Sequence, residues 1–278
     1  TGRYNYRTRA VDTFRGRSNM DTEEITVAEA MKAGGYATGI FGKWHLGDSY
    51  PLRSMDQGFE ESLVHNGGGL GQPADPIGNN NRYTDPILVR NGERVQTKGY
   101  CTDVYFDAAM AFAAKQSEAG KPFFAYVATN APHGPFHDVP KELLKKYLAK
   151  DMAPINLGKP VKPATHEKMA AIAAMIENVD QNVGRLEKKL AELGIVDNTV
   201  VIFMVDNGPN GPRYVGNMRG TKAGVNEGSI RSPFFMRWPG RLKAGEGSDL
   251  IAAHIDVMPT LLEIAGVDLP KGVKLDGR

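Results

Sequence analysis

Lys43 and His45 in GKWHLG, His133 in NAPHGPF, Asp206 and Asn207 in VDNG, and Lys222 in RGTKAG are the side chains here whose types suit chemistry. Asp206 and Asn207 set a carboxylate beside a carboxamide, and both are oxygen ligands for a hard cation such as calcium or magnesium. Lys43 and Lys222 add ammonium groups, and His45 and His133 add imidazoles. That inventory suits an anionic ester. A cation and lysines hold the charge that develops on the ester oxygens. An imidazole, titrating near neutrality, protonates the leaving oxygen. Each residue also has a plain structural reading. Asp-Asn-Gly is common turn chemistry. Lys43 and His45 flank Trp44 and could sit opposite a packed indole. His133 could bond a backbone carbonyl, and Lys222 could be a solvated lysine in a loop.

The elements that must position these residues favour the chemical reading. Residues 198–208 (NTVVIFMVDNG) read as a buried central strand, apolar on both faces, that runs straight into Asp206. Residues 36–41 (YATGIF) read as a strand feeding GKWHLG, with Gly39 as its weak point. Residues 123–129 (FFAYVAT) read as a second buried strand, ending at NAPHGPF. Three loops thus follow carboxyl ends of strands, which is where open α/β sheets bind ligands. Helices are expected at 25–33, with Thr26 and Glu29 as a capping box, and at 102–119, with Thr102 as N-cap. Others are expected at 141–149, at 165–193 and at 256–265. The helix at 165–193 carries a stripe of Met169, Ile172, Ile176, Val179, Val183, Leu186, Leu190 and Leu193. Residues 87–96 (ILVRNGERVQ) place Asn-Gly between alternating flanks, a hairpin signal. PFFMRW at 233–238 is a further strand. Strands alternating with helices predict an α/β fold with a largely parallel central sheet and helices on both faces. The rest of 48–99 is rich in Gly, Asn and Pro and reads as a long irregular loop that shapes selectivity. Residues 1–20 are polar and basic, a solvated connection, and 154–163 and 208–228 are irregular.

Composition narrows the classes further. The chain has 278 residues, 41% hydrophobic and 24% charged, enough for a sizeable core. A net charge of +2 favours neither nucleic acid nor an anionic membrane as partner. No apolar run approaches the roughly 20 residues of a membrane span. The single cysteine, Cys101, excludes an intrachain disulfide. It precedes a helix N-terminus, which could lower its pKa, or it is a small buried hydrophobe. GxSxG, Walker and HExxH motifs are absent from the sequence.

GKWHLG, PHGPF, VDNG, RGTKAGVNEG followed by IRSPFFMRWPG, and HIDVMPTLLEIAG, in this order, resemble the type I sulfatases of the alkaline phosphatase superfamily. The resemblance covers essentially the whole chain. It implies a sulfuric ester hydrolase acting on an aryl or carbohydrate sulfate. It implies a calcium site (magnesium being the other hard cation) with Asp206 and Asn207 among its ligands. It implies that Lys43 and Lys222 contact sulfate, that His133 with Lys222 serves the leaving oxygen, and that His45 helps release sulfate in the second half-reaction. It also implies a formylglycine nucleophile, made from a Cys or Ser in a C/S-x-P-S-R segment that ends in Thr-Gly-Arg like Thr1-Gly2-Arg3. On that alignment residues 1–278 are a catalytic-domain fragment, expected to be inactive alone. The nucleophile, the N-terminal strand with its aspartates, and a small C-terminal subdomain fall outside it. Cys101 in GYCTD lacks the following Pro-Ser-Arg, and Ser229 stands where the family usually has a second glycine. The resemblance implies a bacterial protein, periplasmic or secreted. A phosphate or phosphonate monoester hydrolase on the same fold, or a non-catalytic relative that binds sulfated glycans, are the competing readings.

Overall fold

The structure, a computed structural model, describes residues 1–12, 18–156, 158–211 and 213–278. Parts of the stretches 1–20, 154–163 and 208–228 read above therefore lie outside the described residues. In chain order the helices are α1 (Asn5–Thr8), α2 (Val27–Ala33), α3 (Cys101–Glu118), α4 (Lys141–Leu148), α5 (Pro163–Glu192), α6 (Glu227–Ile230) and α7 (Val257–Ala265). The strands are β1 (Ala37–Lys43), β2 (Glu61–His65), β3 (Ile87–Arg90), β4 (Glu93–Gln96), β5 (Phe123–Ala128), β6 (Val201–Met204) and β7 (Phe234–Arg237). The chain divides into two compact units, residues 1–138 with 249–278, and residues 139–248.

The first unit is built on a five-stranded sheet in the order β4-β3-β2-β1-β5. β1 runs parallel to both β2 and β5, and the β3–β4 hairpin adds an antiparallel edge. Alternation along β1 explains why helices lie on both faces. Ile40 is fully buried among Ala28 of α2, Trp44, Phe59 and Val64. Its neighbour Phe41 points the opposite way and packs on Phe112 of α3, ring centroids 5.6 Å apart. Gly39 shares Phe41's face, where a methyl group would stand 2.9 Å from Phe41 Cε2 and 3.1 Å from Phe112 Cε1. It makes room for the rings, so it does not weaken the strand. α2 starts at the expected capping box: Thr26 Oγ1 accepts from Glu29 N at 3.1 Å, and Glu29 Oε2 accepts from Thr26 N at 2.8 Å. On the far side of α2, Ala30 and Met31 pack against Met258 and Leu262 of α7. The Asn91-Gly92 turn forms as expected, both residues at positive φ, with Arg90 opposite Glu93.

Several expectations are corrected in this unit. Residues 48–99 are not irregular throughout, because β2 forms within them and pairs with β1. Its run ESLVH has only two large aliphatic residues, too short a signal to stand out. α3 begins one residue early, with Tyr100 at the N-cap; Thr102 lies inside the first turn, fully buried, and is not the cap. β5 is the sheet's edge and is half-buried, with Tyr126 47% exposed. Cys101 is 1% exposed, and burial pushes its thiol well above the usual range, so it behaves as a small hydrophobe. The basic stretch is not wholly solvated: Arg3 Nη1 pairs at 2.7 Å with Glu24, which is buried.

In the second unit α4 lies on α5. Leu144 and Tyr147 pack on Met169 and Ala170, and Lys146 Nζ meets Glu177 Oε1 at 2.6 Å. α5 opens on Pro163, whose missing N–H costs nothing there. Its expected stripe is only partly buried, since Ile176 is 52% exposed. Met169, Ile172 and Leu190 of that stripe are buried, and Ala170, Ala174, Met175, Asn178 and Asn182 complete the buried face. The strand read as central is β6, in a two-stranded antiparallel sheet with β7, with Phe203 opposite Phe235. Its residues are half-buried and Met204 is 42% exposed. An apolar run specifies a strand that can be covered, not how many strands flank it. Among the described residues, no helix is long and apolar enough to cross a membrane.

Candidate active site

In the first unit, Lys43, His45 and His133 stand at the carboxyl ends of adjacent parallel strands. β1 ends on Lys43, half-buried and level with His65 of β2. The β1–β2 ladder then continues beyond the strands: Trp44 N donates to His65 O at 3.0 Å, and His45 N donates to Asn66 O at 3.1 Å. Trp44 is the anchor. Its indole is 8% exposed, lies edge-on to Phe59, and donates from Nε1 to Leu52 O at 2.8 Å. With the indole fixed inward, Lys43 and His45 are held half-buried on either side of it. His45 itself has φ of 61°. Such a left-handed conformation is uncommon for a residue with a Cβ, and it is held here by the ladder bond. Gly42 permits the close approach of β5, because any Cβ on it would overlap the Ala128 carbonyl.

β5 leads into the loop that carries His133. His133 N donates to Asn130 O at 2.8 Å, and Asn130 Oδ1 accepts from the buried Tyr105 hydroxyl at 3.0 Å. The Tyr83 hydroxyl lies 3.1 Å from His133 O and 2.9 Å from Gly134 O, tying the loop from the other side. Tyr83 is 1% exposed, and burial raises its phenol far above the usual range, so it stays a neutral donor. Asp138 fixes it in turn, accepting from Tyr83 N at 2.7 Å and Thr84 N at 2.8 Å. His133 Nδ1 is 2.8 Å from Gly134 O. A carbonyl only accepts, so Nδ1 carries the hydrogen and Nε2 is the nitrogen left for exchange with a ligand.

The glycine run after β2 brings His45 and His133 together. A methyl group on Gly68 would stand 2.5 Å from His45 Cε1 and 2.9 Å from its Nε2. One on Gly69 would stand 3.0 Å from His133 Nδ1 and 3.1 Å from its Cε1. Consecutive glycines therefore seat the two imidazoles, and no larger residue fits at either place without moving a ring. The Gln72 amide lies against the same two glycines. Gln72 and Tyr83 line the candidate site and were not singled out by residue type; Gly68 and Gly69 were read only as part of the loop expected to shape selectivity. The only sequence signal was the density of glycine in HNGGGLGQP.

In the second unit, Asp206, Asn207 and Lys222 lie in connected loops. Val205 N donates to Pro233 O at 3.1 Å and Gly208 N to Ser229 O at 2.8 Å, so the acidic turn is pinned on both sides. Lys222 N donates to Pro209 O at 2.9 Å, which places the Lys222 loop beside that turn. Asp206 and Lys222 are exposed and Asn207 is half-buried. Asn207 Nδ2 donates to Gly208 O at 2.8 Å, which fixes the amide's donor end and leaves Oδ1 as an acceptor. A carboxylate beside an amide oxygen fits a hard cation as part of an oxygen set. Among the described residues no group of three or more His, Cys, Asp or Glu could hold a metal ion. Ser229 is 2% exposed and fills the space where Cβ atoms of Gly220 and Gly224 would be, so the lysine loop wraps round its hydroxyl.

Comparison with known proteins bears on this arrangement. The family model described as Sulfatase matches residues 1–267. The chain is 30% identical to arylsulfatase A of Homo sapiens, over 94% of this chain and 51% of that protein. It is 29% identical to N-acetylgalactosamine-6-sulfatase of Canis lupus familiaris, over 92% of this chain and 47% of that protein. The chain thus spans about half the length of these curated relatives. The solved structure of Ps i-CgsB superposes with a TM-score of 0.83 at 25% identity, covering 99% of this chain and 61% of that one. With a family match over nearly its whole length and the α/β sheet of its structural neighbours, the chain belongs to the sulfatase family.

Proposed function

We propose that this chain supplies the sulfate-holding and proton-transferring groups of a calcium-assisted hydrolase of aryl or carbohydrate sulfate esters. The observation that carries the proposal is the seating of His45 and His133 by adjacent Gly68 and Gly69, at the strand ends where Lys43 also stands. Lys43 and Lys222 balance the charge on the sulfate oxygens. His133, oriented by its Nδ1 bond to Gly134 O, gives a proton from Nε2 to the leaving oxygen, and Lys222 supports that transfer. His45 handles the proton when sulfate is released. Asp206 and Asn207 Oδ1 supply two of the oxygens for calcium, which takes roughly six to eight. When bound, calcium adds charge stabilisation on the ester oxygens. The nucleophile in this reading is a formylglycine made from a Cys or Ser. The relatives' names, an arylsulfatase and an amino-sugar sulfatase, support both substrate classes.

The test compares 4-nitrophenyl sulfate with 4-nitrophenyl phosphate as substrates of the full-length protein. Turnover of the sulfate is expected to exceed that of the phosphate, to be lost on chelation and to return with calcium. Faster turnover of the phosphate, or indifference to chelation, would overturn the assignment.

A further inference from the structure

β2 ends on a histidine that the proposed chemistry does not use. His65 is 2% exposed. Its Nδ1 lies 3.1 Å from Gly67 O and its Nε2 lies 3.0 Å from Asp75 Oδ1. The ring is thus held at both nitrogens, by a backbone carbonyl on one side and a carboxylate on the other. Asp75 is fully engaged: Oδ2 accepts from Gly71 N at 2.7 Å, and Oδ1 accepts from Asn79 Nδ2 at 2.6 Å. Burial alone would raise the Asp75 carboxyl, but the bonds from His65, Gly71 and Asn79 outweigh it and hold the group below its usual range. Asn79 is buried and locked in turn, accepting from Ile87 N at 2.6 Å and donating to Ile87 O at 3.1 Å at the start of β3.

The consequence is mechanical. Residues 66–75 contain four glycines, Gly67, Gly68, Gly69 and Gly71, so the segment has little stiffness of its own. It is tied at Gly67 by His65, and at Gly71 and its far end by Asp75. Between those ties lie Gly68 and Gly69, the two residues in contact with the His45 and His133 rings.

We infer that the buried His65–Asp75 pair is the positioning device for the two imidazoles: it fixes the glycine run, and the glycine run fixes where His45 and His133 can stand. His65 and Asp75 are positioning residues, since they act through Gly68 and Gly69. The inference rests on the reading of His45 and His133 as the proton-handling groups.

The experiment uses the full-length protein with Asp75→Asn, which keeps the shape but removes the charge, and with Gly69→Ala, which leaves the pair intact and presses on His133 directly. Both are compared with wild type for kcat and KM on a sulfate ester, and for the ring NMR signals of isotope-labelled histidines. Outer partners of active groups are typically worth about 10- to 100-fold in activity. Each variant is expected to lose kcat by about that factor with KM within about threefold, and to shift or broaden the His45 and His133 ring signals. Unchanged ring signals in Asp75→Asn at a temperature where it is folded would overturn the inference. So would a wild-type kcat in that variant. Should Asp75→Asn not fold, Gly69→Ala decides alone: wild-type kcat and unmoved ring signals there would show that the glycine run does not set the rings. Absence of sulfate ester hydrolysis in the wild type would instead refute the proposed function, while the ring signals would still report on the positioning.

Discussion

Replacing His133 by alanine separates proton transfer from scaffolding, because the structure predicts very different sizes for the two effects. The half-buried ring is held by the hydrogen bond from Nδ1 to Gly134 O at 2.8 Å. Losing such a bond costs about 0.5–1.5 kcal/mol. Gly134 O keeps the Tyr83 hydroxyl at 2.9 Å, so the acceptor is not left bare and the lower figure applies. For a protein of this size or larger that is at most a few degrees in Tm, roughly 2–4 °C per kcal/mol. The backbone is expected to hold, since His133 N to Asn130 O and the Tyr83 tie survive the substitution. Loss of a general acid instead costs about two to four orders of magnitude in turnover, or roughly 3–5 kcal/mol of barrier. The assay is kcat/KM of the full-length variant against a series of sulfate esters of increasingly acidic leaving groups, with Tm measured in parallel. The loss is expected to be greatest for alkyl or sugar sulfates and smallest for 4-nitrophenyl sulfate, whose leaving oxygen needs little protonation. Equal losses along the series would refute the acid role and leave His133 as an electrostatic or orienting group. A Tm collapse would refute the separation of scaffold from chemistry.

Lys222→Ala is expected to show the same leaving-group trend as His133→Ala, whereas Lys43→Ala should slow every ester alike; a leaving-group trend in Lys43→Ala would contradict its role as a sulfate holder. Acid unfolding tests the Asp75 network. The folded pKa of Asp75 is held below its unfolded value, so its stabilisation is present above about pH 4 and is lost as pH falls through the folded pKa. The stability gap between wild type and Asp75→Asn should therefore narrow from pH 6 to pH 3, and a constant gap across that range would count against the network.

The long segment 48–99 shows where residue-type reasoning saw too little structure. Its Gly and Asn content reads as a long irregular loop that shapes selectivity. In the structure Asn79 is 5% exposed and bonds both backbone groups of Ile87, and Asp75 collects bonds from His65, Gly71 and Asn79. Part of this segment is therefore scaffold, and substitutions at Asn79 are expected to lower stability. The reason is that asparagine and aspartate look alike in sequence whether they face water or replace missing backbone partners inside a fold.

Local signals decided local structure. The Thr26–Glu29 box and the Asn91-Gly92 turn specified a helix start and a hairpin, because each depends on neighbours a few residues away. The sequence by itself also named Lys43, His45 and His133 and put them after strands, since residue type and strand ends are both legible in a single chain. Only the tertiary structure decided that Gly68 and Gly69 seat the two imidazoles, that Tyr83 ties the His133 loop from 50 residues away, and that β6 pairs with β7 and is half-buried. Those facts rest on contacts between segments distant in sequence. Glycine declares nothing about which ring will occupy the space its missing side chain leaves, and an apolar run declares nothing about how many partners will cover it.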